Sequence, residues 1–327
     1  MAKRSDVPTM KDVARAAGVS VGTVSKVVNH IPVGESCRKR VEAAIEALDY
    51  HVNSYARGLK VMRTFTIALI IPNIRHSFYA DLADQLNRTM AERGYQLLLI
   101  TTDRGDEQAF ISMLRPEKVD GAVVLSYSKK LNFPASLPVV SIDRRFGPDI
   151  PCVTSDNYAG GALAARRLRE LGCRRLAVTG AIADKDSEVV HRVTGFTDAC
   201  RDMDMPCGQD VTFTSDRFDT IAAFLEGHIH DGRFDYDGLF VTSDWQAWES
   251  LHLLVRHGIR VPEDVLIIGY DGCRRFGFLD RYCSTIVQPV EAIAATCTSL
   301  LLDENDDPAP PCTCLPVWYE AGGTTKS

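Results

Sequence analysis

The chain has 327 residues, 45% hydrophobic and 24% charged, with a formal net charge of −6, which suits a globular protein of about two or three domains. No run approaches about 18 consecutive apolar residues, which excludes a hydrophobic membrane-spanning helix. Met1 to Thr9 lacks the apolar centre of a secretory signal, so a cytoplasmic protein is expected.

The charge is uneven. Residues 1–63 hold eleven Lys or Arg against six Asp or Glu, formally +5, and the remainder carries −11. A basic head on an acidic body suits a polyanion at one end only. The ten cysteines form no C-x-x-C and have no nearby His cluster, so reduced thiols are expected and neither a metal nor a cofactor.

Thr9-Met10-Lys11-Asp12 opens a first helix, with Thr9 as cap and Asp12 at its positive end. Val13, Ala14 and Ala17 fall at helical spacing, and Gly18 ends the helix. Ser20 caps a second helix over Val21–Val28 with Val24, Val27 and Val28 inward. A third spans about Glu35 to Leu48 with Val41, Ala44, Ile45 and Leu48 inward. Two short helices across a glycine turn, closed by a third, make a helix-turn-helix. The second helix begins with small polar residues, Ser20, Gly22, Thr23 and Ser25, which let its N-terminus approach a major groove and phosphates.

Thr9 to Asn29 reads TMKDVARAAGVSVGTVSKVVN. This string closely resembles the signature of the lac repressor and galactose repressor family. The likeness continues through VEAAIEALDY and ARGLKV and, more weakly, to the end of the chain. It implies that Val21, Gly22 and Lys26 meet base edges. Lys26 can donate to guanine, Val21 offers apolar contact, and Gly22 specifies nothing by itself. Ser20, Thr23, Ser25 and Asn29 are suited to phosphates. The family's Ser and Thr near the third helix are Gly34 and Cys37 here.

Asn53-Ser54-Tyr55-Ala56-Arg57-Gly58-Leu59 follows. Barely two turns long, it is unstable as an isolated helix. The resemblance implies a hinge helix paired with a second copy in the minor groove. Leu59 would wedge a base step, with Asn53, Ala56 and Arg57 beside it. The family's proline at this segment's start is Val52 here.

From Thr64 onward, apolar runs alternate with helical stretches. Strands are expected at Thr66–Ile71, Gln96–Thr101, Ala122–Leu125, Val139–Ile142, Leu176–Thr179, Val211–Phe213, Leu239–Val241, Val265–Tyr270 and Cys314–Trp318. Helices are expected at about Phe78–Arg93, after Asn157, near Val189–Met203, from Phe218, and at Trp245–His257. Continuously apolar strands between helices mean parallel sheets covered on both faces. No G-x-G-x-x-G or Walker loop is present, and the α/β body holds no G-x-S-x-G; the one such string, Gly18 to Gly22, lies in the helical head and follows no strand, so an enzyme is not expected.

The fold class expected is therefore an all-α helix-turn-helix head plus an α/β body. The resemblance makes the body two doubly wound parallel-sheet lobes of the periplasmic-binding-protein type. The head is expected at about 1–52, the hinge at 53–63 and the body at 64–327. Within the body the N-lobe takes about 64–157 and 288–305, and the C-lobe about 158–287 and 306–327.

A ligand then sits between the lobes at strand C-terminal ends. Candidates there are Phe78, Tyr79, Asp156, Arg192 (in R-x-x-G-F), Asp244 and Trp245. An Arg fork and a carboxylate suit a polyol, and aromatic rings suit a sugar face or a base. Asp143-Arg144 also matches a family motif and is expected to serve lobe structure. Glu249 replaces a family Gly. The expected function is a ligand-responsive repressor of carbohydrate-use genes, a homodimer on a pseudo-palindromic operator with a sugar-like effector. A catabolite-control-type regulator with a protein corepressor, or a purine-responsive repressor, remains open.

Overall fold

The computed structural model describes residues 8–28, 31–50, 63–102, 106–115, 117–128, 130–182, 184–213, 218–273, 283–303 and 310–325. The chain divides into two compact units, Met1–Thr64 and Phe65–Ser327.

In the first unit, helices α1 (Met10–Ala17), α2 (Val21–Val28) and α3 (Glu35–Ala47) lie close to their expected bounds. The N–H and hydroxyl of Thr9 both donate to the Asp12 carboxylate, at 3.0 and 2.6 Å. These bonds, ahead of the charge of Arg15, hold the Asp12 carboxyl below its ordinary range. Gly18 has φ +61° and donates to the carbonyls of Ala14 and Arg15, ending α1 as only a residue free of a Cβ does cheaply. Ser20 Oγ accepts from the N–H of Thr23 at 3.1 Å, capping α2. The core is Val13, Ala14, Ala17, Val24, Val27, Val41, Ala44 and Tyr50, with Val28, Ile45 and Leu48 packed on its edge.

The second unit holds two six-stranded sheets. The first runs β13-β5-β4-β3-β1-β2, from β1 (Thr66–Ile71), β2 (Gln96–Thr101), β3 (Gly121–Val124), β4 (Val139–Ile142), β5 (Cys152–Ser155) and β13 (Cys312–Leu315). All its ladders are parallel. Helix α4 (Ser77–Glu92) lies on one face together with α10 (Val290–Leu302), and α5 (Glu107–Met113) follows β2.

The second sheet runs β14-β12-β11-β10-β6-β7, from β6 (Leu176–Ala181), β7 (Cys207–Thr212), β10 (Gly238–Val241), β11 (Leu266–Asp271), β12 (Ser284–Val287) and β14 (Trp318–Glu320). A short hairpin, β8 (Ile229–His230) and β9 (Arg233–Phe234), stands apart. Within the six-stranded sheet, among the described residues, only β14 is antiparallel to its neighbour. Its helices are α6 (Asn157–Glu170), α7 (His191–Asp202), α8 (Phe218–Gly227) and α9 (Asp244–Arg256).

Helices α6 and α7 pack closely because glycines face each other's backbone. A Cβ on Gly161 would stand 1.9 Å from the carbonyl oxygen of Arg192, and one on Gly195 2.0 Å from that of Tyr158. The inner strands β1, β3, β4, β6, β10 and β11 are buried along almost their whole length, as parallel strands covered on two faces must be.

Three expectations are corrected. The last strand is two strands in different sheets: Cys312 pairs with Cys152 in the first, and Tyr319 with Ile286 in the second. Pro316, which has no N–H to give a ladder, lies between them. Residues 312–315 therefore belong to the N-lobe and not, as expected, to the C-lobe. Strand β7 spans Cys207–Thr212 and not Val211–Phe213; its polar first half hid it from a search for apolar runs.

Candidate functional site

Two surfaces carry candidates. On the head, Val21, Gly22 and Lys26 are exposed at the start and outer face of α2, while Val24 and Val27 are buried beneath them. The Ser20 and Thr23 hydroxyls lie 3.0 Å apart, and Ser25 is half-buried beside them. The helix thus presents a small, polar N-terminal end, whose N–H groups and partial positive charge favour an anion. Asn29, Asn53, Ala56, Arg57 and Leu59 lie outside the described residues.

In the body, a cleft with about 650 Å3 of atom-free space, counting its open mouth, lies where strands of both sheets end. From the N-lobe come His76, Phe78 and Tyr79 after β1, Ser126 and Tyr127 after β3, and Asp143 after β4. From the C-lobe come Ile182 after β6, Arg192 on α7, Thr242 and Ser243 after β10, Gln246 on α9, Asp271 ending β11 and Gln288 after β12. All are at C-terminal ends of strands or on the helices that follow, as doubly wound sheets place a ligand.

Arg192 is 4% exposed and heavily committed. Its Nε donates to Asn157 Oδ1 at 2.7 Å. One terminal nitrogen donates to the carbonyl of Thr242 at 2.8 Å and to Asp271 Oδ1 at 3.3 Å. Its guanidinium lies 3.7 Å above the Tyr270 ring, a cation–π contact that fixes the plane of the fork. Asp271 Oδ1 also accepts from Gln288 Nε2 at 2.7 Å.

The other oxygen, Asp271 Oδ2, is buried and accepts no hydrogen bond among the described residues, and His76 Nδ1 is likewise buried without a hydrogen-bond partner there. Between these two residues the His76 Nε2 to Asp271 Oδ2 distance is 3.9 Å. Buried polar atoms without partners are rare and costly, about 1–3 kcal/mol each. A hydroxyl-bearing ligand supplies what both lack.

Asp143 has φ +56° and accepts from Thr154 Oγ1 at 2.7 Å. Burial raises its carboxyl above the ordinary carboxylate range, with Arg192 pulling the other way. Its carbonyl accepts from the N–H of Glu188 at 3.0 Å and from Ser187 Oγ at 3.2 Å, bonds that cross between lobes. Next to it Arg144, 4% exposed, donates to Asp184 Oδ2 across the lobes at 2.9 Å and to the carbonyl of Ser126 at 3.2 Å. Arg145 pairs with Glu188 at 2.8 Å. Arg144 serves lobe structure as expected, while Asp143 does that and lines the cleft as well.

The expected ligand set is only partly brought together. Phe78, Tyr79 and Arg192 line the cleft, with the Tyr79 and Tyr127 hydroxyls 2.6 Å apart. Asp244 does not line it: Oδ1 accepts from Thr285 Oγ1 and Oδ2 from the N–H of Cys273, both at 2.7 Å. That carboxylate braces the loop after β11, and burial, then the charge of Asp271, raises its carboxyl well above the ordinary range. Asp156 caps α6, accepting from the N–H of Ala159 at 2.9 Å. Trp245 and Glu249 are half-buried on α9 and are not among the lining residues. The cleft acid left with an open oxygen is Asp271, and sequence reasoning missed it with Gln288 and His76. The one local signal was the Asp-Gly pair closing a buried strand.

Among the described residues no cluster of His, Cys, Asp and Glu is arranged to hold a metal ion. No described helix is long and apolar enough to cross a membrane.

Comparison with known proteins gives the same two parts. Residues 9–53 match the family "Bacterial regulatory proteins, lacI family", and 165–325 match "Periplasmic binding protein-like domain". The chain is 30% identical to the sucrose operon repressor of Streptococcus mutans, covering 92% of this chain and 93% of that one. It is 31% identical to the ribose operon repressor of Escherichia coli, covering 92% and 94%. Among solved structures it is similar to a periplasmic binding protein/LacI transcriptional regulator from Alkaliphilus metalliredigens complexed with D-xylulofuranose. The TM-score is 0.69 at 27% identity, over 80% of this chain and 99% of that one.

Proposed function

The chain belongs to the lacI family of bacterial regulatory proteins, the ligand-responsive DNA-binding repressors, and we propose that its effector is an uncharged, hydroxyl-rich sugar of about monosaccharide size. The observation that carries this is the pair of partnerless buried atoms, Asp271 Oδ2 and His76 Nδ1, facing one cleft. A carboxylate oxygen accepts from a hydroxyl, and a ring nitrogen accepts or donates according to its tautomer. The charges favour a neutral ligand. Asp143 and Asp271 face the cleft, while Arg192, the one Lys or Arg among the described lining residues, is already bonded to Asp271. A phosphate or carboxylate would meet Asp271 at close range. Phe78 and Tyr79 offer apolar surface to the C–H face of a sugar ring.

The head binds operator DNA. Lys26 donates to a guanine edge, Val21 touches a base methyl, and Ser20, Thr23 and Ser25 hold phosphates. A single short helix reads few base pairs, so a homodimer on a pseudo-palindromic site follows. Strand β2 supports this. It is the outer strand of its sheet, and Leu98 and Leu99 are 44% and 41% exposed, with Met113 of α5 at 60%. A second copy covers such apolar edges in a two-fold pair. The chain acts without catalysis, in the cytoplasm, on chromosomal DNA.

The test is calorimetric titration of the full chain with ribose, fructose, sucrose and hypoxanthine, beside Asp271→Asn and Arg192→Ala. A monosaccharide that binds the parent and is lost in Asp271→Asn supports the reading, and binding of sucrose alone overturns the size assigned to the ligand. Binding of hypoxanthine alone makes the protein purine-responsive and overturns the sugar assignment. Retardation of its own promoter fragment, with and without the bound compound, then gives the direction of the response.

A further inference from the structure

We propose that Cys200 and Cys207 are a peroxide-sensitive pair that closes to a disulfide tying the end of α7 to the start of β7. Cys200 sits in the last turn of α7, and Cys207 is the first residue of β7. The chain between them doubles back tightly: the N–H of Met205 donates to the carbonyl of Cys200 at 2.9 Å, and Asp204 takes a left-handed φ of +52°. The turn returns the chain so that Cys207 packs against the core cluster that holds Cys200. Both line an open surface groove with Arg201, Met205 and Gln209.

The two thiols are unequal. Cys200 is 1% exposed within the core under α7, whereas Cys207 is only half-buried. Interaction with the Cys200 thiol lowers the Cys207 thiol below its ordinary value, and the same interaction, then burial, raises Cys200. Cys207 is therefore the nucleophile and Cys200 the resolving thiol.

The Cys207 thiolate attacks one peroxide oxygen and the O–O bond breaks. This leaves a sulfenic acid on Cys207 and a hydroxide that takes up a proton to become water. The Cys200 sulfur then displaces the sulfenic oxygen, which leaves as a second water, and the S–S bond forms. Two thiols have lost two hydrogens, and one peroxide has become two waters. The buried thiols of Cys152, Cys273, Cys283 and Cys297 do not compete, because burial raises each of them. In a reducing cytosol the pair rests as thiols. Oxidation would stiffen α7, the helix whose first turn carries Arg192 into the cleft.

The experiment treats the reduced full chain with hydrogen peroxide, blocks remaining thiols with N-ethylmaleimide, and maps peptides without reductant. Trypsin cuts after Arg201, so the bond joins two separate peptides. The expected product links Cys200 to Cys207, returns to thiols with dithiothreitol, and is absent from Cys200→Ser and Cys207→Ser. In Cys200→Ser, dimedone should label Cys207. The oxidised parent should also unfold at a higher temperature than the oxidised Cys207→Ser protein. The idea is overturned if both thiols stay alkylatable while Cys37, Cys312 or Cys314 oxidises, or if dimedone labels Cys200 in Cys207→Ser as fast as Cys207 in the parent.

Discussion

Replacing Arg144 by Met tests how the two lobes are held together. Arg144 and Asp184 are each 4% exposed and meet at 2.9 Å across the cleft. Removing one partner of a buried pair costs about 3–5 kcal/mol, because the remaining charge stays buried. Here the protein has a cheaper escape than unfolding. If the lobes part, Asp184 reaches water again, so the cost falls on the closed form. A penalty of that size shifts the closed-to-open ratio by roughly 10²- to 10³-fold or somewhat more.

The N–H of Glu188 reports on this directly, since it donates to the carbonyl of Asp143 in the other lobe at 3.0 Å. Hydrogen exchange of a peptide containing Glu188 should quicken by a comparable factor in Arg144→Met, with the midpoint of urea unfolding moved much less. The double variant Arg144→Met, Asp184→Leu removes both charges and keeps the volume, so exchange should slow again toward the parent. Unchanged exchange in the single variant, or a double variant as fast as the single, refutes the reasoning.

Lys26→Ala should weaken retardation of the operator by about 1–3 kcal/mol, roughly 5- to 150-fold, and erase the preference at one base pair per half-site; a competition assay with substituted operators reads both. Gly161→Ala should push α6 off the backbone of Arg192 and cost about 1–3 kcal/mol, which calorimetry would show as a fall in Tm of roughly 2–4 °C per kcal/mol. For Asp244, whose carboxyl is raised well above its ordinary range by burial and then by Asp271, the folded state keeps a proton that the unfolded chain has released. Its contribution is therefore fully present below about pH 4 and lost as pH rises through the raised value. Asp244→Asn, which can still accept from Cys273 and donate to Thr285, should flatten that fall in urea midpoints measured from about pH 4 to 7; a slope identical to the parent's would dismiss the assignment.

What the sequence made legible was what depends on near neighbours. The head helices were readable because Thr9, Asp12, Gly18 and Ser20 cap and break the chain locally, and Val13, Val24 and Val41 keep strict spacing. Arg192 was readable through R-x-x-G-F because Gly195 and Phe196 are tied to helix packing. The choice of acid was not. Asp244 and Asp271 both follow apolar strands, and which one meets a ligand depends on where β10, β11 and β12 lie in the sheet. It depends also on Thr285 and Cys273 claiming both oxygens of Asp244. The run QLLLIT in β2 read as a buried strand, yet at the edge of its sheet it is largely exposed. Strand order and a second copy, neither local, decide that. The split at Pro316 was visible as a proline, but not that the two halves would enter different sheets.

The cleft sets two opposed terms against each other. Closing it joins Arg144 to Asp184, Arg145 to Glu188, and the carbonyl of Asp143 to two donors. Closing also buries Asp271 Oδ2 and His76 Nδ1 where the described residues give neither a hydrogen bond. At about 1–3 kcal/mol each, those two atoms cost as much as a buried ion pair or several neutral hydrogen bonds return. A balance of terms this similar lies within reach of a ligand that adds only two or three hydrogen bonds, and a coupling of about 1–3 kcal/mol is the usual size of an allosteric response. Arg192 links the two sides. By occupying Asp271 Oδ1 with Gln288 it turns a carboxylate that could satisfy itself into one with a single open oxygen. A ligand hydroxyl at that oxygen is therefore worth more in the closed form than in the open one, where water serves equally well. This difference, and not the affinity of the contact itself, is what would let the proposed ligand move the lobes.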